Sequence, residues 1–173
     1  NLAGKTVGLI GCGHVGTKVA GVVKAFGCRV LINDIQDKTS VAQSIGAKLV
    51  TKEELYSKSD IISLHVPLTE TTKHLINTRS LTLMRTGATL INTARGPLID
   101  EKALIRSLKN GTLLAAGLDV FENEPLTNNE LYVLDNFVGT PHIGGSSKEA
   151  SDKMGRAAIR GVERLILDKI DQE

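Results

Sequence analysis

Three residues far apart in the sequence carry side chains suited to anion binding and acid–base chemistry: Arg95, Glu124 and His142. A guanidinium can bind a carboxylate through two hydrogen bonds and also polarise an adjacent carbonyl. A histidine with a carboxylate partner is the usual acid–base pair, because the partner fixes the tautomer and favours the imidazolium. Two of the three also have a structural interpretation, Arg95 as a surface residue of a helix-capping loop and His142 as a structural histidine.

A glycine-rich segment near the start of the chain suggests a phosphate-binding loop. The segment 11–16, Gly-Cys-Gly-His-Val-Gly, follows the apolar run 6–10 and opens a helix-period stretch. Gly11 permits a tight turn, Gly13 lets a pyrophosphate approach the backbone, and Gly16 allows close packing of helix on strand. The helix N-terminus adds unpaired N–H groups and about half a positive charge.

An acidic residue stands where a dinucleotide-binding unit needs one. Asp34 directly follows the apolar run 29–33. A carboxylate there accepts hydrogen bonds from ribose hydroxyls and repels a 2′-phosphate, so the sequence predicts NAD rather than NADP. Residues 35–38 contain no arginine to reverse that preference. His14 and Val15 complete the loop, and His14 stands where a cation would help to bind the pyrophosphate. A glycine turn beside a solvated aspartate is the alternative.

Short apolar runs alternate with helix-period segments along the whole chain. We predict strands over residues 6–10, 29–33, 48–50, 61–66, 88–92, 113–120 and 136–140. Helices are predicted at 15–26, 39–46, after Thr51, near 79–85, after Asp100 and after Ser146. This pattern predicts an α/β fold: a doubly wound parallel sheet of the Rossmann type with helices on both faces.

Two helix starts carry the pattern of a capping box, Thr51 with Glu54 and Ser146 with Glu149. The second opens a long amphipathic helix. Its predicted inner face consists of Ala150, Met154, Ala158, Val162 and Leu165.

The composition excludes several classes of protein. With 21 Lys and Arg against 19 Asp and Glu, the net charge of +2 is too balanced for a nucleic-acid binder, and the 3% aromatic residues offer little for base stacking. Two cysteines make no disulfide framework and suggest a reducing compartment. Without a long apolar run or a signal peptide, we expect a cytoplasmic protein that does not enter a membrane. His65 and His74 lack metal-ligand spacing and are interpreted as structural or surface residues, so no metal site is predicted.

Five motifs together resemble one family, the D-isomer-specific 2-hydroxyacid dehydrogenases. They occur in family order and span nearly the whole chain. The segments are 11–16, 65–69 (His-Val-Pro-Leu-Thr), 91–96 (Ile-Asn-Thr-Ala-Arg-Gly), 118–125 (Leu-Asp-Val-Phe-Glu-Asn-Glu-Pro) and 140–145 (Thr-Pro-His-Ile-Gly-Gly). The run 146–150 is similar to the phosphoglycerate dehydrogenase branch.

The resemblance implies an NAD-dependent oxidoreductase acting on a D-2-hydroxy acid or its 2-oxo acid. It assigns the proton transfer to His142, a hydrogen bond to that histidine to Glu124, and substrate orientation to Arg95. It also implies further cofactor contacts at Val66, Pro67, Thr93, Ala94, Asp119 and Gly144.

Two departures limit what the resemblance implies. Many relatives have a larger apolar residue at Cys12 and a basic residue at His14, so phosphate affinity is expected to be lower. Family members also have an N-terminal substrate domain, which we expect to be absent here. Residues 1–173 are therefore interpreted as one dinucleotide-binding domain that folds alone and binds NAD but turns over a 2-oxo acid poorly. The family implies a homodimer.

Two other functions remain open at this point. NAD-sensing corepressors of this fold keep the same motifs and act by binding rather than by catalysis. A dehydrogenase for another small substrate, such as formate or phosphite, is the other, although formate enzymes usually have Gln where Glu124 stands. Hydrolase chemistry is disfavoured because the sequence has no Gly-x-Ser-x-Gly segment.

Overall fold

A parallel β-sheet organises the computed structural model, which describes residues 1–125 and 130–170. Within those residues the sheet has seven strands in the order β3-β2-β1-β4-β5-β6-β7, and every neighbouring pair is parallel. The strands are β1 Thr6–Ile10, β2 Arg29–Asn33, β3 Lys48–Leu49, β4 Ile61–Leu64, β5 Ala88–Asn92, β6 Leu113–Leu118 and β7 Phe137–Gly139. The strand order changes direction between β1 and β4, which is where open α/β sheets bind ligands.

An α-helix lies between each pair of consecutive strands from β1 to β6, as the sequence pattern predicts, and one more follows β7. The helices are α1 His14–Ala25, α2 Thr39–Ile45, α3 Lys52–Lys58, α4 Thr78–Leu83, α5 Glu101–Lys109 and α6 Lys148–Ile170, with short 3₁₀ turns at Gly96–Leu98 and Glu130–Val133. The chain divides into two compact units, and the second begins at His142. The whole sheet belongs to the first unit, and the predicted doubly wound fold is confirmed.

Four strands are shorter than predicted: β3 ends one residue early, β7 loses one residue at each end, and β4 and β6 end early for a common reason. β4 ends at Leu64 instead of residue 66, and β6 ends at Leu118 instead of residue 120. Leu64 pairs with Ile10 and Leu118 pairs with Asn92, the last residues of the neighbouring strands. Where the neighbour turns away there is no ladder partner, so an apolar run continues past the strand as a loop.

Apolar side chains cover both faces of the sheet. Val7 and Leu9 pack with Ala20 of α1 and Ala42 of α2 in one buried cluster. Ile10 belongs to a second, larger cluster that includes Leu55 of α3 and residues of α4 and α5. Because alternate residues of a strand point to opposite faces, helices lie on both sides, as predicted.

The predicted capping boxes are only partly correct. Thr51 accepts a hydrogen bond from the Glu54 N–H (3.2 Å), but the Glu54 carboxylate binds Lys58 (2.7 Å) instead of returning to Thr51. At α6 the predicted cap, Ser146, is wrong by one residue. Ser147 accepts from the Ala150 N–H (3.1 Å), and the helix begins at Lys148.

The predicted inner face of α6 is also wrong in the part that is described. Met154 is 61% and Val162 57% exposed, and Ala158 is exposed as well. Helical periodicity marks an apolar stripe, but it does not say whether anything covers that stripe. The Leu165 side chain lies outside the described residues.

The described residues contain neither a membrane-spanning helix nor a cluster of side chains suited to a metal ion. None of the described helices is long and apolar enough to cross a bilayer. Over residues 1–125 and 130–170, no group of three or more His, Cys, Asp or Glu side chains is arranged to hold a metal ion.

Candidate functional site

The loop between β1 and α1 is shaped by two of its three glycines. Gly11 has φ +91°, and a Cβ there would lie 2.6 Å from the His65 carbonyl oxygen. A Cβ on Gly16 would lie 2.4 Å from the Gly11 carbonyl oxygen. The packing of the protein itself therefore requires glycine at both positions.

Gly13 differs, because nothing in the protein requires a glycine there. It has an ordinary φ of −79°, and among the described residues other than its two chain neighbours no heavy atom lies within 4 Å of the position that its Cβ would take. Gly13 is the N-cap of α1, no side chain caps that helix, and His14 and Val15 in its first turn are exposed. The open space lies against unpaired N–H groups at the positive end of the helix, and it suits a pyrophosphate.

Asp34 is held against this loop. Its Oδ2 accepts a hydrogen bond from the Cys12 N–H (2.7 Å), and its Oδ1 accepts from the Gln36 N–H (2.9 Å). A carboxylate offers about four acceptor positions, so these two bonds leave capacity for ribose hydroxyls. The structure thus brings the predicted acid and the glycine loop together.

Ile35, next to Asp34, was missed by the sequence reasoning. Its side chain is fully exposed. An aliphatic residue directly after the strand-end acid is the sequence signal that could have indicated an apolar surface beside the ribose site.

The segment after β4 packs against the loop between β1 and α1. The Cγ1 of Val66 lies 2.8 Å from the position of a Cβ on Gly11, and Pro67 is exposed. The His65 Nε2 lies 3.0 Å from the Ser63 Oγ, and burial lowers the pKa of that imidazole. Burial therefore favours the neutral form of His65, and its structural role stays a prediction.

A buried amide shapes the loop that carries Arg95. Asn92 is fully buried; its Oδ1 accepts from the Ala94 N–H (3.0 Å), and its Nδ2 donates to the Arg95 carbonyl (2.8 Å). The Arg95 side chain is exposed, with Nη1 donating to the Ala94 carbonyl (2.6 Å), and Thr93 is exposed too. Asn92 was missed as a site residue, although an amide at the end of a buried strand is the signal that indicates it.

The Arg95 loop and the Glu124 turn lie against each other. A Cβ on Gly96 would lie 1.8 Å from the Phe121 carbonyl oxygen, so the two backbones touch at this point. In the turn, the Glu124 Oε1 accepts from the Phe121 N–H (2.9 Å), and the residue as a whole is exposed. Two of the three candidate catalytic residues therefore lie on adjoining loops at the carboxyl edge of the sheet.

The remaining predicted site residues lie at two places. Asp119, 6% exposed, accepts from the Thr140 hydroxyl (2.6 Å) and donates its own N–H to the Asn92 carbonyl (3.0 Å). His142 and Gly144 belong to the second unit, where both are exposed. His142 has φ +55°, and it shares a positive φ with only one other non-glycine residue of the described chain, His74. Residues held in this region cluster at functional sites.

A cavity of about 490 Å³ opens at the other edge of the sheet. Its lining includes Thr6, Arg29 and Lys48, the first residues of β1, β2 and β3. Gly11 and Asp34 follow the opposite ends of β1 and β2. This cavity is therefore not the dinucleotide site, which open α/β sheets place at the carboxyl ends of their strands.

Comparison with known proteins agrees with this geometry. Residues 1–144 match the family model described as D-isomer specific 2-hydroxyacid dehydrogenase, NAD binding domain. The chain belongs to this family. The fit of the glycine loop and Asp34 to a dinucleotide, together with this match, identifies NAD as the cofactor.

The relatives include enzymes named for different substrates. The chain is 45% identical over 166 residues to D-3-phosphoglycerate dehydrogenase from Methanocaldococcus jannaschii, covering 95% of this chain and 32% of the relative. It is 44% identical over 161 residues to glyoxylate reductase from Thermococcus litoralis, covering 93% and 49%. Among solved structures, D-lactate dehydrogenase from Aquifex aeolicus, complexed with NAD and lactic acid, matches with a TM-score of 0.87 and 34% identity, covering 97% and 55%. The chain thus spans between a third and about half of these relatives.

Proposed function

We propose that this chain is the NAD-binding part of an enzyme that transfers a hydride between NAD(H) and a D-2-hydroxy acid or its 2-oxo acid. The observation that carries the proposal is the contact of Gly96 with the Phe121 carbonyl, because it joins the Arg95 loop to the Glu124 turn. Both loops follow strand ends on the edge that carries the glycine loop. A carboxylate-binding cation and a carboxylate partner for an acid–base group are thus available beside a dinucleotide site.

The proposed chemistry uses three side chains. The Arg95 guanidinium binds the substrate carboxylate and polarises the adjacent carbonyl. The His142 imidazolium donates a proton to the carbonyl oxygen during reduction and takes it back during oxidation. Glu124 accepts a hydrogen bond from His142, which fixes the tautomer and favours the protonated ring. NAD(H), when bound, supplies or accepts the hydride.

Other residues of the chain would hold the cofactor. The main chain at Gly13 would bind the pyrophosphate, and Asp34 would bind the adenosine ribose beside the exposed Ile35. Further contacts are proposed at residues whose position after a strand end is suitable: Val66, Pro67, Thr93, Ala94, Asp119 and Gly144.

The substrates proposed are small 2-oxo acids, and activity on them tests the function. NADH oxidation by the complete protein should be measured with glyoxylate, hydroxypyruvate, phosphohydroxypyruvate and pyruvate. We expect turnover of at least one of them near the ordinary enzyme scale of about 10 s⁻¹. Binding of NADH with no oxidation in the presence of any of these acids would favour the NAD-sensing alternative.

Residues 1–173 alone are proposed to bind NADH but to turn over slowly, because the relatives are about two to three times as long. A cleft with one wall admits water and lacks part of the substrate site. Rates with the isolated chain that equal those of ordinary dehydrogenases would contradict this part of the proposal.

Gly13→Ala is expected to weaken NADH binding about tenfold without destabilising the fold, since ~1.4 kcal/mol corresponds to a factor of ten. The new methyl group meets no protein atom within 4 Å and would occupy space needed by the pyrophosphate. Fluorescence titration with NADH and thermal melting are the two measurements. Gly16→Ala is the contrasting variant, and it should lose stability because its methyl group meets the Gly11 carbonyl. An unchanged NADH affinity in Gly13→Ala would show that the pyrophosphate does not bind against Gly13.

Asp34→Ala is expected to weaken NADH binding by about 10- to 100-fold, the range for losing hydrogen bonds to a charged group. NADPH binding should fall less or improve, because the carboxylate no longer repels the 2′-phosphate. Titrations with both nucleotides measure the ratio of affinities. Asp37→Ala is the matched control, since that exposed carboxylate accepts hydrogen bonds from Thr39 and not from the glycine loop. An unchanged NADH-to-NADPH ratio in Asp34→Ala would argue against the ribose contact.

We further propose a cytoplasmic homodimer. Both cysteines, Cys12 and Cys28, are buried free thiols, which suits a reducing compartment. Exposed apolar side chains on or near the β6–β7 side of the sheet support an interface with a second copy: Leu114, Tyr132, Val133 and Val138.

A further inference from the structure

The segment before α4 is bound along its backbone to the loop that follows Arg95. The His74 N–H donates to the Pro97 carbonyl (2.8 Å), and the Ile76 N–H donates to the Leu98 carbonyl (2.9 Å). The Asp100 N–H then donates to the Ile76 carbonyl (2.8 Å). The backbone of His74 is therefore attached to Pro97, two residues after Arg95, by a short parallel pairing that lies outside the main sheet.

The side chain of the same residue reaches the turn that carries Glu124. The His74 Nε2 lies 2.6 Å from the Glu122 Oε1, in a pair that is 41% and 26% exposed. The Glu122 N–H donates to the Oε1 of Glu101 (2.7 Å), a residue that is 7% exposed at the start of α5. Glu122 is thus held from its side chain and from its backbone, two residues before Glu124.

The backbone of His74 is held in an uncommon conformation that aims the imidazole. Its φ is +49°, and the Asn77 side-chain amide donates to its carbonyl (2.9 Å). Apart from His142, it is the one non-glycine residue with positive φ in residues 1–125 and 130–170. Such a conformation is unfavourable for a residue with a side chain and persists where the surrounding contacts determine it.

We propose that His74 is a positioning residue that ties the Arg95 loop to the Glu124 turn and so sets the spacing of the guanidinium and the carboxylate. The backbone N–H of His74 holds one loop and its imidazole holds the other, and Gly96 and Phe121 touch between them. This inference rests on the proposed function, because it concerns the spacing of the proposed substrate-binding and acid–base groups. His74 does not touch the substrate in this role.

The test compares two substitutions at each end of the pair in the complete protein. His74→Asn keeps a residue that tolerates positive φ, but its amide is too short to reach Glu122. His74→Gln places an amide N–H near the former Nε2. Glu122→Ala removes the partner, and Glu122→Gln keeps an oxygen acceptor. Glu70→Ala is the matched control, an exposed carboxylate of the same connection between β4 and α4.

We expect His74→Asn and Glu122→Ala each to lower kcat for the 2-oxo acid by about 10- to 100-fold, the cost of a misplacement near 1 Å. The affinity for NADH should not change, and the double variant should be no worse than either single one, because both remove the same contact. His74→Gln should recover most of the rate. Glu70→Ala should behave as the native protein.

Three outcomes would overturn the proposal. The first is an unchanged kcat in both His74→Asn and Glu122→Ala. The second is losses that multiply in the double variant. The third is a loss of kcat accompanied by a similar fold-loss of NADH affinity and by a lower melting temperature, which indicates a general structural role. If none of the 2-oxo acids tested supports NADH oxidation by the native protein, the proposed function itself is contradicted. The failure of this inference and the failure of the proposed function are therefore distinguishable.

Discussion

Replacing His142 with Asn is expected to lower kcat for reduction of the 2-oxo acid by about 10²–10⁴-fold, the usual contribution of a positioned acid–base group. Asparagine tolerates the positive φ of this position (+55°), so the backbone should be retained. It cannot donate a proton as the imidazolium does, while the proposed contacts of Arg95 and of NADH should be unaffected. Steady-state rates at saturating NADH measure the effect.

Two further measurements make this result specific to the proton transfer. The affinity for NADH, measured by fluorescence, should be the same in His142→Asn and in the native protein. The circular dichroism of the two proteins should also agree. If His142→Asn retains kcat within about tenfold of the native value, the proton comes from another group and the assignment of His142 is wrong.

Replacing Gly96 with Ala should give the largest loss of stability that the site residues offer. The added Cβ would lie 1.8 Å from the Phe121 carbonyl oxygen, and backbone atoms cannot move aside as a flexible side chain does. Overpacking of this kind costs about 1–3 kcal/mol or more in the free energy of unfolding. Chemical denaturation measures that loss, and any folded fraction should have reduced kcat because the Arg95 loop moves away from the Glu124 turn.

Gly117→Ala is the matched control for this substitution. Gly117 lies in β6, and no heavy atom is found within 4 Å of its Cβ position. Replacing a glycine inside a strand by alanine should be neutral or stabilise by about 0.5–1 kcal/mol. If Gly96→Ala were as stable as Gly117→Ala, the Arg95 loop and the Glu124 turn would not be in contact. The observation that supports the proposed function would then be lost.

The features that the sequence predicts correctly follow from local pattern and from the geometry that parallel sheets share. Strand–helix alternation gives the parallel sheet, since each crossover needs a helix. The spacing of the glycines predicts the tight loop, and the structure shows the close approaches that require glycine, of Gly11 to the His65 carbonyl and of Gly16 to the Gly11 carbonyl. Asp34 was predicted beside the loop because strand ends of a parallel sheet share one edge, and the Cys12 N–H confirms it.

The features that the sequence does not predict depend on contacts between distant segments. His74 and Glu122 are 48 residues apart, and neither residue type nor spacing indicates that they meet. Asn92 is a different case, because its bonds to Ala94 and Arg95 are local, but its residue type alone does not show that the amide turns back to the loop. In α6 the sequence predicts burial that the structure does not show, because the side chains of Met154 and Val162 in the apolar stripe are exposed.

A crystal structure of the complete protein with NADH and a non-reacting 2-oxo acid analogue tests the account most directly. The distances to measure join the His142 imidazole to the Glu124 carboxylate, and the Arg95 guanidinium to the analogue's carboxylate. The account predicts hydrogen-bond distances of roughly 3 Å for both, with the imidazole facing the carbonyl oxygen of the analogue. An imidazole that reaches neither Glu124 nor the analogue, directly or through one water, would contradict it.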